Sequence, residues 1–291
     1  MSEAPLIEFR GIGKRYGTGE AAFVALHHID LQIQQGEFVA IMGPSGSGKS
    51  TAMNIVGALD RPSWGEYLFD GVHVENLTND ERALLRRRWI GFVFQGFNLL
   101  PRTTAMENVE LPLLYRGLKR ADRQRLAAAA LERVGLLEWA HHTPAELSGG
   151  QQQRVAIARA IVIKPKLLLA DEPTGSLDSS RSIEIMKLLR DLNEEEDITI
   201  ALVTHEPDMA AFARRHILFK DGNWWTMTME PSLTSRENQC DLECISSGYS
   251  SDLAQSATQS PDRLGGCDRC GCGHYDGDDW QWRIYCHQNG N

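Results

Sequence analysis

Glu37-Phe38-Val39-Ala40-Ile41-Met42-Gly43-Pro44-Ser45-Gly46-Ser47-Gly48-Lys49-Ser50-Thr51 is the stretch on which the reading of this chain turns. Residues 37–42 form a short apolar strand, the glycines at 43, 46 and 48 make a loop, and Lys49 opens a helix. Strand, glycine loop and helix in that order build a phosphate cradle. The glycines let backbone N–H groups wrap an anion, and the helix points its positive end at it. Lys49 adds a cation for the β- and γ-phosphates of ATP, and the Ser50 hydroxyl suits Mg²⁺. Pro44, Ser45, Ser47 and Thr51 complete the candidate nucleotide-binding loop.

Two further signals follow in order: Leu147-Ser148-Gly149-Gly150-Gln151-Gln152-Gln153-Arg154, then Leu167-Leu168-Leu169-Ala170-Asp171-Glu172-Pro173. The second is a buried strand ending in two carboxylates, where a parallel sheet delivers its ligands. Asp171 can hold Mg²⁺ through water while Glu172 positions and deprotonates the attacking water; positioning and electrostatics dominate phosphoryl transfer. Gln95, after strand residues Phe92-Val93-Phe94, offers a neutral amide to a metal-bound water and the γ-phosphate. His205 follows the strand from Ile198 to Val203. Alone, Gln95 also reads as an exposed polar residue and His205 as a structural one. Tyr16 is either an adenine-stacking ring or a core tyrosine. Ser148-Gly149-Gly150 at a helix start makes a second anion site. Because the chain already has one cradle, this second site is expected to serve ATP held by another copy, in a head-to-tail homodimer.

The remaining pattern is α/β. Half-exposed strands are expected over Leu6 to Tyr16 and Ala22 to Ile33, and a hairpin over Trp64 to Val74 turning at Asp70-Gly71. Arg102 to Glu146 is helix-rich, with a helix from Ala121 to Val134 stopped by Gly135. Ser148 is expected to cap a helix from Gln151 to Ile163. Lys166 to Ala170 is a strand, Ser182 to Asn193 an amphipathic helix, and Ile217 to Phe219 the last short strand. Alternating strands and helices imply a mainly parallel sheet.

The 291 residues carry a formal net charge of −9, which argues against nucleic acid as a partner. Ten acidic and four basic residues fall between Glu230 and Asn291, so this tail holds most of the excess. All six cysteines lie there too: Cys240, Cys244, Cys267, Cys270, Cys272 and Cys286. Met1-Ser2-Glu3-Ala4-Pro5 lacks the pattern of a signal peptide, and no run approaches the roughly 18 apolar residues of a membrane span. The expected location is cytoplasmic, with any membrane role exercised by docking onto a membrane protein.

With these motifs in place the chain resembles the ABC ATPases over about residues 5–226, and within them the macrolide-export and lipoprotein-release (MacB-type) group. The stretches carrying the likeness are Leu59-Asp60-Arg61-Pro62, Gly91 to Arg102, Glu107-Asn108-Val109-Glu110-Leu111-Pro112-Leu113 and Gln151 to Ala160. The resemblance implies a P-loop NTPase fold, with a RecA-like core, an N-terminal antiparallel β-subdomain and a helical subdomain at about 96–155, all within a cassette spanning 1–229. It makes Tyr16 the adenine-stacking residue, Gln95 the Q-loop, Glu172 the catalytic base and His205 the switch histidine. Ser176-Leu177-Asp178 matches the D-loop and adds Asp178 to the nucleotide-binding set, although the group usually has Asn where Ser176 stands. It also implies ATP and Mg²⁺ as cofactors. The expected partner is a membrane permease, separate or fused, docking on Gln95 to Arg102 and the helical segment at the cytoplasmic face of the inner or plasma membrane. A regulator that signals through a membrane partner without moving a substrate fits the same residues. ABC proteins acting on ribosomes or DNA fit less well, because there is one cassette and no sustained heptad pattern.

The tail from 230 to 291 is expected to be unstructured. Cys267-x2-Cys270-x-Cys272-x-His274 looks like a metal cluster but fits no common zinc-finger spacing. Reading the codons one base later turns those three cysteines into Ala or Val and Asp279-Trp280-Gln281-Trp282 into Ile/Thr-Gly-Asn/Ser-Gly. That product resembles the first membrane segment of the permease fused to, or encoded beside, MacB-type ATPases, which makes the tail an out-of-frame remnant of a permease. An ordinary disordered tail is the remaining reading.

Overall fold

The computed structural model describes residues 4–19 and 22–228. Two sheets organise it. In the first, β2 (Phe23–Ile33), β1 (Ile7–Tyr16), β4 (Trp64–Phe69) and β5 (Val72–His73) lie in that order and pair antiparallel. The second has the order β10 (Asn223–Thr228), β9 (Arg215–Lys220), β3 (Phe38–Met42), β8 (Thr199–Val203), β7 (Leu167–Asp171) and β6 (Ile90–Phe94). Its strands run parallel except for β10, which closes a hairpin on β9.

The parallel strands are apolar at nearly every position because both faces of their sheet are covered. Side chains alternate between the faces with period two. Val39, Ile41, Leu167, Leu169, Ala201 and Val203 join one core with β1, β2, β4 and helix α1 (Lys49–Val56). Phe38, Ala40, Leu168, Ala170, Ile200 and Leu202 join the other, with α3 (Ala105–Tyr115), α4 (Arg120–Arg133), α5 (Gly149–Ile161) and α6 (Ser179–Glu196).

Helix starts are written in the sequence as reciprocal caps. Thr104 with Glu107 opens α3 and Ser148 with Gln151 opens α5, each side chain satisfying the other residue's free backbone N–H. The same device at Thr78 and Glu81 opens α2 (Asn79–Trp89), which the periodicity does not predict because Arg82 is its only buried residue. The short helix α7 (Pro207–Ala210) follows β8. Two helices begin earlier than expected, and α5 also ends at Ile161, two residues short of the expected Ile163. The α5 helix begins at Gly149, directly after its serine cap, and α6 runs from Ser179 because Asp178 accepts the Arg181 N–H at 3.0 Å. The β9 strand is longer than its apolar centre, and β10 follows it through the Asp221-Gly222 turn.

Among the described residues no helix is long and apolar enough to cross a membrane. The tail from 230 to 291, with its six cysteines, lies outside the described residues.

Tyr67 ties the antiparallel sheet to the helix that follows the glycine loop. Its ring packs edge-on to Phe9 at 4.9 Å, and its hydroxyl donates to the carbonyl oxygen of Val56, the last residue of α1, at 2.6 Å. The residue is fully buried. Tyr67→Phe strands that carbonyl and should cost about 1–3 kcal/mol. A denaturant titration should show a lower midpoint at unchanged m; an unshifted midpoint removes this bond from the stabilising set.

Candidate active site

The registers of the parallel strands bring their C-terminal ends to one edge. Phe94 pairs with Asp171, Asp171 with Val203, and Val203 with Ile41. The residues just past those points therefore share the edge: Gln95, Glu172, His205 and the loop opening at Gly43.

That loop is shaped by close approach. Gly43 has φ +144°, and a Cβ there would stand 2.1 Å from the carbonyl oxygen of Phe219. Gly48, at φ +104°, is the N-cap of α1, where a Cβ would meet the Ala25 carbonyl at 2.8 Å. Only glycine fits either place. The Lys49 ammonium donates to the carbonyl oxygens of Gly43 and Pro44, both at 2.7 Å, and so reaches back across the loop. Ser47 is buried and its hydroxyl is an unpartnered polar atom of the cradle. Pro44, Ser45, Gly46 and Ser50 are exposed, and Thr51 is half-buried.

Opposite charges meet here. Burial lowers the pKa of Lys49, while Glu172 and Asp171 act to raise it. Burial raises the Asp171 carboxyl, helped by Glu172 and countered by Lys49. Glu172 adopts φ +45°, a left-handed conformation costing a non-glycine residue on the order of 1–3 kcal/mol. The surrounding backbone enforces it: Glu172 N–H donates to Val203 O at 2.8 Å, and Gly175 N–H donates to Glu172 O at 3.1 Å. So placed, Glu172 Oε1 lies 3.0 Å from His205 Nδ1. Gln95 is exposed and packs over the loop after Glu172, where a Cβ on Gly175 would lie 2.7 Å from its Nε2. Ser176 Oγ donates to Gln95 O at 3.3 Å.

The structure thus brings together Gly43 to Thr51, Gln95, Asp171, Glu172 and His205. Tyr16 stands apart at the end of β1. It is 41% exposed, which rules out the core reading, and its hydroxyl donates to Asp60 Oδ2 at 3.1 Å. Ser148, Gly149 and Gly150 also stand apart. Ser148 and Gly150 border a cavity of about 310 Å³ between α5 and α6, lined by Trp139, Arg154, Arg181 and Glu184 among others. Ser148 Oγ is engaged by Gln151 N–H, and no hydrogen bond among the described residues joins this motif to the glycine loop. Asp178 caps α6 beside it, its carboxyl held low by the Ser180 hydroxyl and then by the Arg181 backbone N–H.

One residue escaped the sequence reading. Arg159 projects from α5 and donates to the carbonyl oxygens of Asn98 (2.5 Å) and Phe97 (2.9 Å), two residues after Gln95 held at φ +50° and +59°. Burial lowers its pKa. The available signal was an arginine in a helix whose neighbours Ile157, Ala158 and Ala160 are all buried.

Residues 26–175 match the ABC transporter family. Over 218 residues the chain is 55% identical to the ABC transporter ATP-binding protein YknY of Bacillus subtilis, covering 75% of this chain and 94% of that one. It is 55% identical over 222 residues to the macrolide export ATP-binding/permease protein MacB of Marinobacter nauticus, covering 76% of this chain but 34% of MacB. The chain therefore spans about a third of that fused relative. The dimeric, post-hydrolysis structure of the cassette MJ0796 bound to ADP and Pi superposes with a TM-score of 0.71 at 46% identity, covering 77% of this chain and 99% of that one. Loop, acidic strand end, helix-start motif and these likenesses agree: the chain belongs to the ABC transporter family, as an ATP-binding cassette ATPase of the MacB-type export group.

Proposed function

We propose that this cassette closes on ATP as a head-to-tail homodimer and that each closure acts on a membrane permease. The observation that carries the reading is the division of the site. Lys49, Asp171, Glu172 and His205 converge on one sheet edge, while Ser148 caps α5 on another surface. On this reading one chain supplies the two halves of a nucleotide site, and a second copy joins them. The MJ0796 cassette is dimeric in two solved structures, one of them bound to ADP and Pi, which supports pairing of two copies.

The residues fit the roles by their chemistry. Backbone N–H groups of the Gly43 loop and the Lys49 ammonium bind the phosphates, whose oxygens are stronger acceptors than the two carbonyls Lys49 now uses. Tyr16 offers its exposed ring to adenine. Ser50, Gln95 and Asp171 supply the oxygen ligands that Mg²⁺ prefers, and the buried, unpartnered Ser47 hydroxyl together with the half-buried Asp171 carboxyl marks a site built for charge. Bound there, Mg²⁺ would neutralise phosphate oxygens. Glu172 takes the proton of the attacking water, and His205 at 3.0 Å orients that carboxylate. Ser148, Gly149 and Gly150 present the positive end of α5 to the partner copy's ATP, with Asp178 at the adjoining cap. A permease, separate or fused, is supported by the MacB and PvdT relatives, which carry both parts in one chain; the cassette would then sit at the cytoplasmic face of the membrane. The tail after residue 229 is not part of this machinery, and we read it as the out-of-frame remnant of such a permease.

Glu172→Gln keeps size and polarity but cannot accept a proton. Turnover with Mg²⁺ should fall by roughly 10²–10⁴-fold while nucleotide binding, followed by a fluorescent ATP analogue, is little changed. Near wild-type turnover would remove Glu172 from the base role.

In the Glu172→Gln background, saturating ATP should drive the protein to a dimer in sedimentation velocity. Adding Ser148→Arg should return it to monomer by placing bulk and misplaced charge at the interface. A dimer that tolerates the arginine contradicts the head-to-tail arrangement.

Deleting Glu230 to Asn291 should leave turnover and the thermal midpoint unchanged, and the gene should carry an open permease frame downstream. A clean stop with no such frame would sink the frameshift reading, and lost activity would make the tail part of the cassette.

A further inference from the structure

One carboxylate gathers the end of β1, the segment after α1 and the Tyr16 ring. Asp60 Oδ2 accepts the Tyr16 hydroxyl at 3.1 Å. Its Oδ1 accepts the Lys14 ammonium and the Arg61 backbone N–H, each at 2.7 Å. Lys14 stands over the Tyr16 ring, 5.0 Å from its centroid, and also donates to the Arg61 carbonyl oxygen at 2.7 Å. The Lys14 side chain is 11% exposed, whereas Tyr16 is largely open to solvent. The ammonium takes one face of the ring by cation–π attraction, which leaves the opposite face for a stacking partner.

The segment that carries Asp60 is fastened on both sides. The N–H groups of Leu59 and Asp60 donate to the carbonyl oxygen of Asn54 in α1, at 2.8 and 3.1 Å, and α1 is the helix that opens with Lys49. Ser63 N–H donates to Gly13 O at 2.7 Å, and Arg15 N–H donates to Ser63 Oγ at 3.0 Å. A run of hydrogen-bonded backbone therefore leads from the glycine loop through α1 to the residue that holds the ring.

A surface Lys–Asp pair ordinarily contributes little to stability. This one also grips a phenol. Burial acts to raise the Asp60 carboxyl, but the Lys14 ammonium, the Arg61 N–H and the Tyr16 hydroxyl together hold it below its usual value. The acceptor is thus ionised at neutral pH, and an ionised acceptor holds a hydroxyl more firmly than a neutral one. An exposed ring left free to rotate would lose that freedom when a base stacked on it; a ring fixed beforehand does not.

We propose that Asp60 is the positioning residue of the adenine platform. Its carboxylate fixes the Tyr16 phenol and holds Lys14 over one ring face, so the other face is set for the base at a defined span from the phosphate loop. The proposal rests on the reading of Tyr16 as the adenine-stacking residue and adds what holds that ring in place.

The test compares two ligands on the full chain by calorimetry: ADP, and inorganic pyrophosphate, which fills the phosphate cradle but has no base. Asp60→Ala should weaken ADP about three- to tenfold, the cost of ordering one side chain on binding, and leave pyrophosphate affinity unchanged. In turnover the KM for ATP should rise by a similar factor with kcat preserved, the mark of lost uniform binding. Tyr16→Phe keeps the ring and removes only the hydroxyl, so it should weaken ADP to the same degree, and the double variant should be no worse than either single one. This milder variant reads the same bond even if Asp60→Ala unfolds the segment. Unchanged ADP affinity in both single variants, equal loss of ADP and pyrophosphate, or additive losses in the double variant overturns the proposal. Tyr16→Ala separates it from the reading beneath it. If Tyr16→Ala binds ADP normally, the adenine platform itself falls and the proposal with it; if Tyr16→Ala weakens ADP while Asp60→Ala and Tyr16→Phe do not, the proposal alone falls.

Discussion

A half-buried ammonium facing two carboxylates is the constraint to which the rest of this structure answers. Lys49 loses hydration at the end of the glycine loop and recovers stability from Glu172 and Asp171. Asp171 resists ionisation because it is half-buried beside another carboxylate, and Lys49 offsets part of that cost. Neither charge is tolerable alone in such surroundings. Holding both requires β3, β7 and β8 in parallel register with their ends aligned, which in turn requires helices on one face and the antiparallel sheet on the other. The same balance leaves the site receptive to phosphate charge and its counterion.

The backbone at Glu172 shows how firmly that arrangement is imposed. A left-handed glutamate is unfavourable in isolation, yet here it is fastened by Val203 O on one side and the Gly175 N–H on the other. The turn lifts the carboxylate out of line with β7 and toward His205. Asp171, the preceding residue, remains in the strand. Two adjacent carboxylates are thereby given different environments by one φ angle, and different environments let two like groups do different work.

What the sequence made legible follows from how local each signal is. The glycine loop, the acidic strand end and the serine cap are contiguous motifs whose chemistry is complete within a few residues, and each stands where its strand or helix should put it. The apolar runs of β3, β7 and β8 are readable because burial on both faces leaves no room for polar residues. Helix α2 was invisible for the opposite reason: it shows the solvent almost every side chain, and only its Thr78–Glu81 cap and its arginine-rich last turn mark it. Strand β10 was missed because it is held by pairing with β9, a tertiary contact that no periodicity of Asn223 to Thr228 announces. Arg159 lay inside a quoted stretch, but its partners are two backbone carbonyls about sixty residues away in sequence. Long-range hydrogen bonds of that kind leave no local trace.

Arg159 also joins the loop after Gln95 to α5. Gln95 leads into Phe97 and Asn98, whose left-handed backbone leaves two carbonyl oxygens pointing at α5. A largely buried guanidinium satisfies both, and the cost of leaving it unpaired would be severe. The loop that carries Gln95 and the helix that carries Ser148 are therefore bound to shift together: to move one without the other is to break a buried, charge-assisted pair of hydrogen bonds. Asn108 adds a second tie. Fully buried in α3, it accepts the Leu100 N–H at 2.8 Å and donates to Thr103 Oγ1 at 2.8 Å and to the Thr104 carbonyl at 3.0 Å. Gln95 is thus linked to α5 through Arg159, and the residues after it to α3 through Asn108, while Gly175 and Ser176 touch Gln95 from the Glu172 side. Gln95, beside the edge where Asp171 ends β7, is in this way mechanically continuous with α5 and α3.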